Sequence, residues 1–468
     1  KFFERRNCML IRFNIRNFLS FSSKADGSTE EFSMIAGKVR SKKEHIYDNG
    51  DLKLLKFAAI YGANASGKSN LVKAMKFFRQ VVVNGLPDGH TEKYCKVVKN
   101  NKDMPSYFEV EMMLGKKYYA YGFEVLLNQS KFIEEWLVEL YPNNTEKILF
   151  HRDIENGTYE FGGELSKSEL RQNLDVYAGD IRDDSSALFL SIMNQNKKRL
   201  YQSYDSASVL KNVFLWLRND FDVNYPNQPI LDYNYFSKTD RIDEICKILS
   251  AFGTGITGFQ MVDVPIESVF RRIPKALQER ILSDIEKGQV KMRSGEKNHS
   301  IDMVIRGLKD FFVITLDGTD DIKCQTIEFS HGLENVFFGI DEESDGTVRI
   351  LDLLEILISG EGKTYVIDEL DRCLHPSLTY QFVHTFFNIA RQRNIQLIVT
   401  THESRLMDFE LLRRDEIWFV NKRNTGESDI YSLEEYNERF DKKIDKAYLE
   451  GRYGGVPIFT TIFPLEGD

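Results

Sequence analysis

The sequence predicts an α/β fold in which one domain is split by a mostly helical insertion. Three observations carry this. Gly62–Ser69 reads GANASGKS and fits the phosphate-loop pattern Gly-x-x-x-x-Gly-Lys-Ser/Thr. A mostly apolar run, Leu54–Tyr61, precedes it, and two further short apolar strands lie far along the chain at Thr364–Ile367 and Gln396–Thr400. Continuous apolar runs of this length suit parallel strands buried on both faces. Each late strand ends in polar residues, Asp368-Glu369 in one case and Thr401-His402-Glu403 in the other.

Met9 opens a strand pattern and is read as the natural start, with Lys1–Cys8 as an extension that is charged and lacks a signal-peptide apolar core. After the phosphate loop, Asn70–Phe78 sets Leu71, Val72, Met75 and Phe78 on one helical face. The glycines therefore stand between a strand and a helix. There Gly62 and Gly67 let the backbone curl so that its N–H groups face phosphate oxygens, and the helix N-terminus adds favourable partial charge. Lys68 is expected to reach the β- and γ-phosphates of ATP, and Ser69 to offer its hydroxyl to Mg²⁺. The expected nucleotide-binding set is Gly62, Asn64, Ser66, Gly67, Lys68, Ser69 and Asn70.

Beyond that helix the sequence turns strand-like. Tyr107–Met113 and Tyr118–Leu126 flank a Gly115-Lys116-Lys117 turn, and Ile133–Leu140 and Ile148–Arg152 continue the pattern. Val209–Arg218, Ile242–Phe252 and Ile273–Ile285 have helical apolar spacing without sustained heptads, which argues for a compact insertion over a coiled-coil arm. Glu416–Val420 and Asp429–Leu433 read as a closing hairpin, followed by a charged helical tail and the Gly-rich segment Gly451–Pro457. These readings divide the chain into 9–204, an N-terminal lobe with the phosphate loop, 205–300, the helical insertion, and 301–468, a C-terminal lobe.

The C-terminal lobe carries the remaining chemistry. Asp368-Glu369 after an apolar strand is a Walker B pattern, with Asp368 placed for Mg²⁺ and Glu369 for the proton of an attacking water. His402, just past the next strand, stands where open α/β sheets bind ligands and can contact the γ-phosphate. Glu343-Ser344-Asp345-Gly346-Thr347 leads into the apolar run Val348–Ile358. Ser344 and Gly346 then sit at a helix N-terminus, either as an ordinary cap or as a second anion cradle that closes over a partner subunit's nucleotide.

Phosphate loop, long insertion, Ser-x-Gly signature, Walker B and His switch, in that order, resemble the ABC-type P-loop ATPase heads of SMC-, RecF- and OLD-like proteins. Within that class the chain looks most like the AAA15 ATPases of bacterial anti-phage operons, such as Septu-, retron- and abortive-infection-type systems. The supporting stretches are Asn17-Phe18-Leu19-Ser20-Phe21, Glu134-Glu135-Trp136-Leu137, Glu343–Arg349, Asp368–Pro376 and Tyr448–Gly454. The resemblance implies ATP and Mg²⁺ as cofactors, a homodimer or higher homo-oligomer, and head closure that brings Ser344 and Gly346 to the partner's γ-phosphate. It also implies a defence role, as a sensor or regulator of a separate effector, a nuclease. A RecF-like DNA-maintenance ATPase and an ATP-bound scaffold without turnover are the alternatives. The sequence departs from many relatives at Leu374-His375-Pro376, so the interface role of that loop does not transfer to His375. Gln195 is either the Q-loop residue or a solvated loop glutamine.

Composition agrees. No apolar run approaches a membrane span, and five cysteines without CxxC spacing argue for a reducing cytoplasm over a disulfide framework or zinc site. A net charge of −9 weighs against a general nucleic-acid binder. Two basic stretches, Lys38/Arg40/Lys42/Lys43 and Arg271/Arg272/Lys275/Arg280 continuing to Lys287, Lys291 and Arg293, are either solvated faces or nucleic-acid contacts.

Overall fold

Helix-forming and strand-forming runs alternate along the chain in blocks, and the parallel sheet draws its strands from segments far apart in sequence. A computed structural model describes residues 7–24, 26–228, 230, 242–293, 301–307, 309–316, 322–332, 336–358, 360–436, 444–450 and 453. Two compact units divide the chain, the first comprising Lys1–Val223, Gly360–Leu370 and Phe386–Asp468, the second Asn224–Ser359 and Asp371–Thr385.

The first unit opens with β1 (Cys8–Arg16), β2 (Glu30–Ser33), β3 (Ile46–Asp48), β4 (Lys53–Leu55), β5 (Phe57–Tyr61) and α1 (Lys68–Asn84). A meander follows: β6 (Ser106–Leu114), β7 (Lys117–Leu126), β8 (Lys131–Leu140), β9 (Glu146–Asp153) and β10 (Thr158–Phe161). Then come α2 (Ser168–Asp180), α3 (Phe189–Met193), α4 (Lys198–Ser203), α5 (Ser208–Asn219) and β11 (Phe221–Asn224). The second unit holds α6 (Ile242–Ala251), β12 (Ile256–Asp263), α7 (Ile266–Arg272), α8 (Lys275–Arg293), β13 (Ile301–Arg306), β14 (Phe311–Leu316), β15 (Ile322–His331), β16 (Phe337–Gly339) and α9 (Asp345–Ile358). β17 (Thr364–Ile367) returns to the first unit, and α10 (Pro376–Ala390) runs across the division. β18 (Gln396–Thr400), β19 (Ile417–Lys422), β20 (Ser428–Ser432) and α11 (Ile444–Leu449) follow in the first unit.

Two large sheets build the first unit. One is the antiparallel order β10-β9-β8-β7-β6-β1-β2, and the other is β11-β17-β18-β5-β19-β20. In the second sheet β17, β18, β5 and β19 pair in parallel, and β20 adds an antiparallel edge. Leu71, Val72, Met75 and Phe78, the expected apolar face of α1, are all buried. Phe77 and Phe78 continue the contact into the antiparallel sheet, against Phe13, Phe18, Phe108 and Phe123. The single run expected at Leu54–Tyr61 is two strands in different sheets. Lys56 breaks it: its side chain is buried and its Nζ donates to Ala390 O at 2.5 Å, so the chain turns from the β3–β4 ribbon into the parallel sheet.

The meander matches its pattern, with Leu114 paired to Lys117 across a tight turn at Gly115-Lys116, where Gly115 has φ 69°. Glu135 acts as a buried anchor. Its carboxylate accepts the Phe189 and Leu190 N–H groups at the start of α3 and the Tyr121 hydroxyl. Cross-strand from Glu135's neighbour Trp136 stands Gly122, where a Cβ would lie 2.4 Å from the indole.

In the second unit β12, within the stretch read as mostly helical, pairs with β15, and β15 with β14 and β16. This antiparallel sheet buries Val269, Ile281 and Ile285 of α7 and α8 against Ile305, Phe312 and Ile314. The strands after residue 300 therefore form one unit with the helices before it. The Gly451–Pro457 segment lies, Tyr453 apart, outside the described residues. No helix among the described residues is long and apolar enough to cross a membrane.

Glu30, at the head of β2, is buried between Lys24 at 3.9 Å and the Ile430 N–H at 3.2 Å. Burial pushes its carboxyl up from 4.5 to about 7, with Lys24 opposing. The folded protein therefore holds a proton there that the unfolded chain releases at lower pH. The stability this contributes is complete below pH 4.5 and is lost as pH rises through about 7. Glu30→Gln, which keeps an oxygen for the Ile430 N–H, should stabilise the protein by about 2 kcal/mol above that range and change little below it. Urea unfolding at pH 4.5 and pH 8 would read this difference, and equal effects at both pH values would show that the carboxyl titrates normally.

Candidate functional site

The phosphate loop forms because β5 is buried along its whole length and α1 begins at Lys68, leaving the chain only the residues between to reverse direction. Gly62 leaves the strand where a Cβ would come within 2.4 Å of Val420 O. Gly67 caps α1 at φ 118°, with Ser428 Oγ 2.4 Å from where its Cβ would be. Gly62 is thus required by close approach, and Gly67 by its positive φ as well as by close approach. Ala65 also takes positive φ, and Asn64 is exposed at the tip. Lys68 folds back over the loop, its Nζ donating to Gly62 O at 2.7 Å and Ala63 O at 3.1 Å. These two backbone carbonyls hold the ammonium directly over the loop.

A chain of contacts joins the loop to the Walker B acids. Ser69 Oγ donates to Asp368 Oδ1 at 3.2 Å. Thr400 Oγ1 donates to the same oxygen at 2.6 Å and accepts the Glu369 N–H at 2.8 Å. Thr400 is the last residue of β18, directly beside β17, and is 1% exposed, so a single buried hydroxyl fixes both acids. Glu369 takes φ 49°, a left-handed conformation uncommon for a non-glycine residue, at the turn that leaves β17. His402 lies two residues past Thr400 and is exposed; the Thr401 N–H that precedes it is tied to Ile60 O at 3.1 Å. Gly62, Ser66, Gly67, Lys68, Ser69, Asn70, Asp368, Glu369 and His402 thus all stand at the C-terminal edge of one parallel sheet.

Several further residues around the loop are given no role by the sequence reading. Ser20 and Ser428 back the loop: Asn70 Nδ2 donates to Ser20 Oγ at 2.9 Å, and Ser428 Oγ donates to Ser66 O at 2.5 Å. Ser20 belongs to the Asn17–Phe21 stretch, whose Asn17 side chain ties down Asn101, Met104 and Cys95 through backbone groups. Tyr448 stacks on Phe419 and edges onto Tyr61; burial pushes its phenol up, opposed by a hydrogen bond from the Gly62 backbone. A cleft of about 390 Å³ opens over the loop, and Lys73 and Lys422 line it together with the loop residues. Only a pairing of Lys422 with the strand before the loop could have revealed that residue, and the sequence does not state strand neighbours.

In the second unit, Ser344 Oγ accepts the Thr347 N–H at 3.0 Å, so it caps α9. Ser344 and Asp345 are exposed and Gly346 partly so, with a Cβ on Gly346 lying 3.0 Å from Cys373 O. Lys309 steadies this terminus through Asp345 at 2.9 Å, and His331 bonds Glu343 at 2.7 Å. His375 caps α10 by accepting the Ser377 N–H. Gln195 is not brought to the loop. It follows α3, which is fastened by Ser191 Oγ to Val82 O in the last turns of α1, roughly 20 Å along the helix from Lys68 at 1.5 Å per residue. Of the basic stretches, Arg272 is paired with Asp310 and Asp341, and Lys287 with Asp284. The side chains of Lys291 and Arg293 lie outside the described residues.

No curated protein matches the chain. Among solved structures it is similar to an Smc head bound to the C-winged helix domain of ScpA, at 14% identity and TM-score 0.35, over 90% of this chain and 97% of that one. It is also similar to the SMC head domain from Thermotoga maritima, at 14% identity and TM-score 0.32, over 90% and 98% of the two chains. A third is an Smc head with an extended coiled coil, bound to the C-terminal domain of ScpA derived from Pyrococcus furiosus, at 15% identity and TM-score 0.32, over 95% and 99%. A family model described as "AAA domain, putative AbiEii toxin, Type IV TA system" matches residues 57–408, from the first residue of β5 to beyond His402, and the chain belongs to that family.

Proposed function

We propose that the protein binds and hydrolyses ATP, and that it uses the resulting head closure to regulate a separate effector, a nuclease, in an anti-phage defence system of the reducing cytoplasm. The observation that carries the ATPase reading is the contact chain Ser69–Asp368–Thr400–Glu369, which ties the phosphate loop to two acids at one sheet edge. Ser69 Oγ and Asp368 Oδ1 are hard oxygen donors of the kind Mg²⁺ takes. That ion, when bound, would neutralise charge on the β- and γ-phosphates.

The protein's own groups divide the remaining work. Backbone N–H groups of the loop and the start of α1 receive the phosphates, and Lys68 leaves its carbonyl partners to meet them. Thr400 keeps Asp368 aimed at Ser69. Glu369 positions a water and takes its proton, and His402 donates to an oxygen of the transferring phosphoryl group. Catalysis of this kind is mostly positioning and charge neutralisation. Two subunits close so that the α9 N-terminus of one, at Ser344 and Gly346, meets the γ-phosphate held by the other. Turnover reopens the pair, and that two-state interface is what the effector reads. A family described in toxin–antitoxin terms supports a system with a second protein component.

Lys68→Ala should abolish ATP binding in calorimetry. Glu369→Gln should bind ATP, lose turnover by two orders of magnitude or more, and accumulate closed dimers in light scattering. A Glu369→Gln rate equal to wild type would favour a scaffold that holds ATP without turnover. Thr400→Val should keep ATP binding while lowering turnover about tenfold or more, because both acids lose their shared partner. Native mass spectrometry of the protein expressed with its genomic neighbours should show a complex with a second protein. A bare homodimer with DNA-stimulated hydrolysis would favour a RecF-like maintenance role.

A further inference from the structure

The phosphate-loop cleft has a flank that the P-loop and Walker B motifs leave unassigned. The sheet order β17-β18-β5-β19 places the Ser69–Asp368 contact on the β17 and β18 side of the loop. β19 lies on the opposite side of β5, parallel to it, with Phe419 level with Tyr61. β5 ends there, whereas β19 continues to Lys422. Lys422 therefore overhangs the phosphate loop and lines the cleft. Lys73, on the exposed side of α1, lines it as well.

Neither ammonium forms an ion pair among the described residues, and no Asp or Glu is among the described residues lining the cleft. Lys93 adds a third cation nearby: burial lowers its pKa, and the charge of Lys73 lowers it further. Unpaired like charges around one concavity repel one another, and an anion seated among them removes that cost. For a nucleotide triphosphate held with its metal-facing end at Ser69 and Asp368, the flank lined by Lys73 and Lys422 would be the place for its other end.

We infer that Lys422 and Lys73 are positioning residues that grip the α-phosphate end of the bound nucleotide, opposite the end where hydrolysis occurs. This rests on the ATP-binding reading above. Because ATP and ADP share the α- and β-phosphates, the two lysines secure both nucleotides alike and do not distinguish substrate from product. They set how tightly the nucleotide stays during opening of the dimer.

The test is calorimetric binding of ATP and ADP to the full chain and to Lys422→Gln, Lys73→Gln and the double variant, with Lys68→Ala as control. Both lysines are exposed, so the variants should fold, and circular dichroism checks this. Each single change should weaken ATP and ADP by about the same factor, roughly tenfold, with kcat at saturating ATP within about twofold of wild type. Raising salt should shrink the difference from wild type. Unchanged affinities in the double variant would overturn the inference, as would a loss confined to ATP, which would place the lysines at the γ-phosphate. Absence of any nucleotide binding by the wild-type chain would instead overturn the ATPase reading itself.

Discussion

Parallel pairing of β17, β18, β5 and β19 is the constraint on which the rest of the site depends. The register sets Val399 beside Ala59 and Thr400 beside Ile60, with Ile367 beside Val399. All these strands consequently end at one edge, and whatever residue follows each of them is delivered there. Parallel strands need crossovers of a dozen or more residues between them. Here the crossovers are very unequal: α10 alone connects β17 to β18, whereas most of the chain separates β5 from β17. The insertion can be as large as it is because β5 and β17 need only their ends near one another, and the loop-closure cost grows slowly with length.

Buried hydroxyls do much of the fixing at that edge. Thr400 serves Asp368 and Glu369 at once, and Ser428 holds Ser66 O from the far side of the loop. A hydroxyl can donate and accept simultaneously without adding charge, so it orients a carboxylate without cancelling it. The same economy appears away from the site, where Glu135 anchors the start of α3 through two backbone N–H groups and the Tyr121 hydroxyl. The Glu134–Leu137 stretch therefore has a structural explanation in this chain: Glu135 joins the antiparallel sheet to α3, and Trp136 fills the space that Gly122 leaves open on the next strand.

Local pattern was a good guide where one residue's neighbours in sequence decide its environment. The phosphate loop, the strands Thr364–Ile367 and Gln396–Thr400, the apolar face of α1 and the β6–β7 hairpin stand where periodicity and turn chemistry put them. It was a poor guide where one polar residue changes the course of the chain. Lys56 inside the run Leu54–Tyr61 divides it between two sheets, since its ammonium needs Ala390 O. In the second unit β12 buries only Ile256 and Phe259, three residues apart and so without the alternation of a half-buried strand, and its partner β15 is far away in sequence. Gln195 likewise sits after an apolar run that packs on the wrong end of α1.

By itself the sequence determined the chemistry of the phosphate loop, since the spacing of Gly62, Gly67, Lys68 and Ser69 is a local matter of backbone curvature and helix start. It also determined which strands end in acids and in histidine. Tertiary structure alone decided which of those ends meet, and on which side of the loop each lies. Strand order and parallel register depend on packing between segments hundreds of residues apart, and no period in the sequence encodes that adjacency. For that reason Asp368 and Glu369 could be read from the chain, whereas Lys422 could be found only from its place above Gly62.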